Sequence, residues 1–167
     1  PKQKNDYRPY YGATVGFSGR GEMIPNAGSY AELDPTVVDR WGIPVLRFHW
    51  QWTDHELNQV KHMQETFRAL IAEMGGEVFS PMPTKAQGYG IAPGGRIIHE
   101  LGGARMGTNP NTSVLDEWCR AHEVPNLFVT DGAPFVTQAD KNPTWTIMAL
   151  AWRTSERIAE QMKSRTL

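Results

Sequence analysis

The sequence predicts a mixed α+β chain, and three observations carry that prediction. Residues 43–52 alternate apolar and polar in the two-residue rhythm of a strand. Residues 54–74 and residues 142–162 each carry an apolar stripe at three- and four-residue steps, the mark of an amphipathic helix. The segments between them are dense in glycine and proline, which punctuate regular structure.

Composition narrows the function classes. A chain of 167 residues holds one domain or two small ones. A hydrophobic share of 40% beside a charged share of 21% excludes a disordered or fibrous chain. Lys+Arg 17 against Asp+Glu 18 leaves no basic field to release phosphate counterions, so nucleic acid is not an expected partner. Gly 16 and Pro 12 predict many turns and close backbone approaches. The single cysteine, Cys119, excludes an internal disulfide framework and a Cys-rich zinc site, and no metal is expected. No apolar run reaches the roughly 20 residues that span a bilayer. The polar opening Pro1-Lys2-Gln3-Lys4-Asn5-Asp6, without a methionine, reads as the start of a processed or truncated piece. The compartment is not legible.

Taken in order, residues 1–30 read as loops with short strands. Gly16-Phe17-Ser18-Gly19-Arg20-Gly21 has the order G-x-x-G-x-G rather than G-x-G-x-x-G and follows no convincing strand, so it reads as a turn. In the 43–52 strand, Leu46, Phe48, Trp50 and Trp52 share a face that calls for a core. Val45, Arg47, His49 and Gln51 share the other, which lines a cleft or meets solvent. Thr53 and Glu56 form a capping-box pattern ahead of a helix over 54–74. Its stripe is Leu57, Val60, Met63, Phe67, Leu70, Ile71 and Met74, and Gly75-Gly76 supplies a left-handed stop. His55 and His62 stand seven apart, not the four of a metal-binding pair, and read as surface residues. Residues 79–95 form a loop between two halves. Val124 to Thr130 is a short apolar run of the buried-strand kind, ending at Asp131-Gly132-Ala133. Ligands of open α/β sheets bind beyond such strand ends. The last helix starts near Asn142, a suitable N-cap, with Pro143 at the first helical position. It runs to about Met162, with Ile147, Leu150, Ala151, Thr154, Ile158 and Met162 as the inward stripe. Its start carries partial positive charge.

Three segments of the C-terminal half are specific in order and spacing. They are His99-Glu-Leu-Gly-Gly-Ala-Arg105-Met106-Gly107 continuing to Ser113-Val-Leu-Asp116, then Asn126-Leu-Phe-Val-Thr-Asp131-Gly132, then Asn142-Pro143-Thr144 opening the last helix. Together they resemble the C-terminal signature of the glucose–methanol–choline (GMC) flavoprotein oxidoreductases, strongly over residues 95–160 and more loosely over 25–75. The flavour is that of bacterial sugar dehydrogenases acting on gluconate or glycosides. The family's N-terminal dinucleotide fingerprint has no counterpart here. The resemblance therefore implies the C-terminal portion of a longer flavoprotein, a fragment or split chain. Residues 1–92 would belong to an antiparallel-sheet substrate domain and residues 93–167 to the FAD-binding, Rossmann-like domain. Its partner would be an N-terminal FAD-binding portion in another chain.

The resemblance also implies roles. Oxidising an alcohol needs a base for the hydroxyl proton and an acceptor for the carbon-bound hydride, here the flavin N5 of FAD. His99 would be the base, with Asn142 across the substrate hydroxyl, donating where charge develops. Asp131 and Gly132 would lie along the ribityl–pyrophosphate part, Gly132 allowing close approach. Asn142, Pro143, Thr144 and Trp145 would place the helix start at the flavin ring, favouring the anion of the reduced form. Arg105 and Met106 read as structural, the arginine pairing with a carboxylate. Arg47, His49 and Gln51 are the candidate contacts for a sugar or alcohol, and Trp145 is the aromatic singled out for sugar stacking. His122 is expected at a surface turn. Electrons would leave to an acceptor subunit or carrier, with dehydrogenase favoured over oxidase. The rival reading is a non-catalytic subunit that keeps the fold and binds a ligand or partner. Retention of both His99 and Asn142 argues against it.

Overall fold

The computed structural model describes residues 11–96, 98–138 and 140–166; the part of the expected 1–30 loop region that falls on residues 1–10 lies outside these. The element order is strand β1 (Tyr30–Val38), strand β2 (Pro44–His49), helix α1 (Asp54–Glu73), a short 3-10 turn (Lys85–Gly90) and helix α2 (Thr144–Ser164). A small antiparallel sheet with helices is the α+β class that the periodicities predict.

β1 and β2 pair with Tyr30 opposite His49, Ala31 opposite Phe48, Glu32 opposite Arg47 and Leu33 opposite Leu46. An irregularity follows between Leu33 and Val38. Asp34 holds it, its Oδ1 accepting from the N–H groups of Thr36 and Val37 at 2.9 and 2.8 Å. These bonds keep the Asp34 carboxyl below the usual carboxylate range. The hairpin closes at Asp39, whose Oδ1 accepts from Trp41 N and Ile43 N, and at Gly42, where φ of +81° calls for glycine.

The strand is shorter than the 43–52 alternation, and among the described residues its apolar face finds no core. Leu46 and Phe48 are 60% and 72% exposed, and Leu33 across from Leu46 is 64% exposed. Only the end of that face is engaged. Trp52 Nε1 donates to Ala92 O at 3.1 Å, and Trp50 lies edge-on to Trp52 over Gly94, where a Cβ would come within 2.3 Å of the indole Cγ.

α1 keeps its predicted bounds to within a residue, because its ends are written in side chains. Thr53 N and Oγ1 both donate to Glu56 Oε2, and Thr53 Oγ1 accepts from His55 N. Gly75 takes φ of +73°, and Gly76 N reaches back to Ile71 O at 2.9 Å, the left-handed stop. Phe67 of the stripe stacks on Phe17 at 5.3 Å. His55 and His62 are exposed.

The Val124–Thr130 run is not a strand. Val124 and Leu127 are 45% and 49% exposed, and the run meets its neighbours through single bonds such as Val129 N to Cys119 O at 2.9 Å. Pro125 lacks a donor, and a ladder needs a continuous partner, which no described segment supplies. Among the described residues the buried apolar ones are Leu115, Cys119, Ala121, Pro134, Phe135 and Pro143, all in the C-terminal half. Total accessible surface is 12930 Å², whereas a compact monomer of this mass exposes about 8,300 Å².

Candidate active site

Residues 99–135 form a cluster of tight turns laced by main-chain bonds. Gly102, Ala104 and Met106 donate to the carbonyls of Gly132, Ala133 and Pro134 at 3.2, 3.1 and 3.0 Å, so the segment after His99 runs beside the segment after Asp131. Gly102 takes φ of +84°, and a Cβ there would stand 3.0 Å from Phe135 O. Arg105 O accepts from both Val114 N and Leu115 N, folding the Ser113–Asp116 motif onto the same core. Asp116 then builds the next turn, with Oδ1 accepting from Trp118 N and Arg120 N at 2.8 and 3.0 Å and Oδ2 accepting from Arg120 Nε at 3.3 Å. Cys119 sits inside that turn at φ of +60° and is 1% exposed. The side chain of Arg105 is exposed and makes no ion pair among the described residues.

Gly132 lies between the other two motifs. A Cβ on Gly132 would collide with Leu101 Cδ2 at 2.2 Å and meet Ile147 Cδ1 at 3.5 Å. Leu101 is two residues past His99, and Ile147 lies in the first turn of α2. A side chain at 132 would therefore have to displace the end of Leu101, a packing reason for glycine that the sequence did not suggest. His99 is half-buried at the edge of this contact.

α2 begins one residue later than predicted. Pro143 is buried with helical angles (φ −84°, ψ −12°) and occupies the cap position; no side chain caps the helix, and its first turn holds no acid. Proline's fixed φ starts the helical geometry ahead of the hydrogen-bonded span. Asn142 stands outside, exposed, and its amide is not spent on capping. Thr144 and Trp145 are exposed, the indole at 83%. Asp131 is exposed, with Oδ1 accepting from Ala133 N at 2.7 Å. The inward stripe of α2 centres on Thr154, 1% exposed, whose Oγ1 donates to Trp118 O at 3.1 Å. Arg153 and Arg157 lie over the Trp118 ring, 4.4 and 5.1 Å from its centre. Met162, assigned to the stripe, is 63% exposed because the turn cluster ends before the last turn of the helix.

His122 corrects the expectation of a surface turn. It is half-buried, its N–H donates to Val114 O at 3.1 Å, and Nε2 lies 3.0 Å from Ser113 Oγ and 3.2 Å from Gly107 O. Ser113 Oγ donates to Asn109 O at 2.8 Å, so Nε2 carries the proton and closes the 107–113 loop. The signal was the polar spacing Ser113…His122 around an otherwise apolar core.

The candidate substrate face of β2 is assembled differently. His49 Nε2 is 2.8 Å from Glu32 Oε1, and its ring stacks on Tyr30 at 4.2 Å. Arg47 lies across from Glu32 and Gln51 is exposed. Among the described residues no hydrogen bond, ion pair or ring contact joins this face to His99 or Asn142.

Residues 25–151 match the family model described as GMC oxidoreductase. The chain belongs to the GMC oxidoreductase family. FAD is the cofactor of that family. Similar proteins include a 2-methyl-1,2-propanediol dehydrogenase of Mycolicibacterium austroafricanum, 33% identical over 84% of this chain and 24% of the relative. A gluconate 2-dehydrogenase flavoprotein of Pantoea cypripedii is 27% identical over 90% of this chain and 25% of its own length. A C-glycoside 3-oxidase of Arthrobacter globiformis is 34% identical over 81% and 25%. This chain spans about a quarter of the length of the curated GMC relatives it matches. Dehydrogenases and oxidases both stand among them.

Proposed function

We propose that this chain carries the alcohol-oxidising residues of a GMC flavoenzyme acting on a CH–OH group of a sugar, glycoside or polyol. The observation that carries the reading is the free start of α2. It has neither a capping side chain nor an acid in its first turn, and Gly132 lies against both Ile147 of that turn and Leu101, two residues past His99. A bare helix start favours an anionic group, which fits the cofactor's ring. Pro143, Thr144 and Trp145 would hold FAD there, with Asp131 and Gly132 along its chain. Bound FAD supplies the two-electron acceptor.

The protein's own residues handle the proton. The imidazole of His99 takes the hydroxyl proton of the substrate near neutral pH. The side-chain amide of Asn142 donates to the same oxygen as negative charge builds on it. The polar face of β2, through Arg47, His49 and Gln51, is assigned to substrate hydroxyls. Residues 1–92 fall to the substrate side and residues 93–167 to the cofactor side, with the remaining FAD-binding, Rossmann-like portion and an electron acceptor or carrier completing the enzyme. A dehydrogenase is the favoured form.

The test is flavin reduction by sugars and polyols, followed by rapid mixing with the complete flavoprotein that contains this chain. The reading expects reduction by at least one such alcohol, slowed about 10²–10⁴-fold by His99→Ala with FAD retained. FAD-loaded protein that none of them reduces, or a His99→Ala variant that reduces normally, overturns it.

A further inference from the structure

We infer that the segment Gly19–Ile24 is a strap that fixes Thr137, Gln138 and Lys141, and that Glu22 is thereby a positioning residue for Asn142; the catalytic half of this inference rests on the role proposed above for Asn142. The strap runs extended between two supports. On one edge, side chains of α1 stand in for a neighbouring strand. Gln59 pairs with both main-chain groups of Glu22, Oε1 accepting from its N–H at 3.2 Å and Nε2 donating to its carbonyl at 2.8 Å. Two residues on, Ile24 N donates to Oε1 of Glu56 at 3.0 Å. Glu56 is itself 3% exposed and locked by Thr53, so this support is rigid.

The other edge meets those residues. Met23 bridges Gln138 in antiparallel fashion, as backbone alternation requires once residues 22 and 24 face α1. Thr137 Oγ1 donates to the carboxylate of Glu22, and Gln138 Nε2 donates to Lys141 O, the carbonyl next to Asn142. A continuous set of bonds thus leads from the capped start of α1 through the strap to the residue before Asn142. Asn142 has no capping bond of its own to hold it. Gly19 and Gly21 of the 16–21 motif find their use here. A Cβ on Gly21 would come within 2.6 Å of Gln59 Oε1, the atom that accepts from Glu22, and one on Gly19 within 2.5 Å of Met63 Sδ. The motif lets a backbone lie flat on a helix.

The inference is tested in the complete flavoprotein with two paired variants. Thr137→Val and Glu22→Ala remove the link; Thr137→Ser and Glu22→Gln keep a donor and an acceptor. Amide exchange of a peptide covering 137–146 is expected to quicken about tenfold in the first pair and to stay at the wild-type rate in the second. The limiting rate of flavin reduction is expected to fall roughly 10- to 100-fold in the first pair, with substrate affinity within about twofold, and to recover in the second. Unchanged exchange in both Thr137→Val and Glu22→Ala overturns the strap. Faster exchange with an unchanged limiting rate overturns the positioning role of Glu22. A wild-type protein that no alcohol reduces overturns the proposed function instead, and the exchange data still decide whether the strap holds those residues.

Discussion

The turn cluster of residues 99–135 and the hairpin of β1 and β2 are both short of regular structure, yet they solve burial in opposite ways. The cluster has no strand ladder, but its carbonyls and amides pair residue by residue, and it encloses Leu115, Cys119, Ala121 and Phe135. The hairpin has a proper register and a good turn, but Leu33, Leu46 and Phe48 all face outward. A two-stranded sheet is marginal in water unless something packs on it. Regular hydrogen bonding and burial are thus separable, and in this chain the motif-bearing half holds the burial.

That contrast is open to attack by substitution. Leu115→Ala is expected to cost about 2–5 kcal/mol, the scale for a buried leucine in a packed site. Chemical denaturation followed by tryptophan fluorescence measures it, and a loss under about 1 kcal/mol would deny the cluster its status as core. Thr154→Val should cost about 1–3 kcal/mol, because Trp118 O then loses its buried donor.

Glu56 probes the capped start of α1, which lies between the two regions in sequence. Burial pushes its carboxyl up, but the hydroxyl and N–H of Thr53 and the N–H of Ile24 outweigh that and hold it below the usual carboxylate value. A carboxyl depressed on folding gives stability that is complete above its unfolded pKa and is lost as pH falls through the folded one. Stability should therefore decline on acidification below about pH 4.5. Glu56→Gln should flatten that decline while costing about 1–2 kcal/mol at neutral pH. A variant whose acid titration of stability overlays the wild type would show that Glu56 is not its source.

The smallest effect is expected on the hairpin. Phe48→Ser should change the stability of the 167-residue chain by no more than about 0.5 kcal/mol, as for other exposed positions. In the complete flavoprotein the same change should cost about 2 kcal/mol if the face is covered there. Equal costs in the two settings would erase the distinction between the halves.

Helix ends were legible because they are written locally. Thr53, Glu56 and Gly75 act within one turn of where they stand, so α1 could be placed to within a residue. The order of the C-terminal motifs was legible too, and with it the family. The illegible parts depend on distant partners. Leu46 and Phe48 read as core because alternation reports a wish for burial and says nothing of what supplies it. Val124–Thr130 read as a strand for the same reason. That Leu101 and Ile147 crowd Gly132 was not legible either, because side chains from other segments supply that contact. The partners of His122, Thr154 and Glu22 escaped notice because side-chain bonds to residues distant in sequence leave no periodic trace.

Cys119 gives the turn cluster a chemical clock. It is the only thiol in the sequence, and it is sealed at 1% exposure inside the Asp116–Arg120 turn. A thiol reagent added in excess can reach it only when the cluster opens, so the alkylation rate, set against that of an unfolded control, reads the opening equilibrium of the motif-bearing half alone. The hairpin is silent in that measurement. Any ligand, cofactor or partner chain that slows the labelling must stabilise the turns that carry His99 and Asp131, wherever on the molecule it binds.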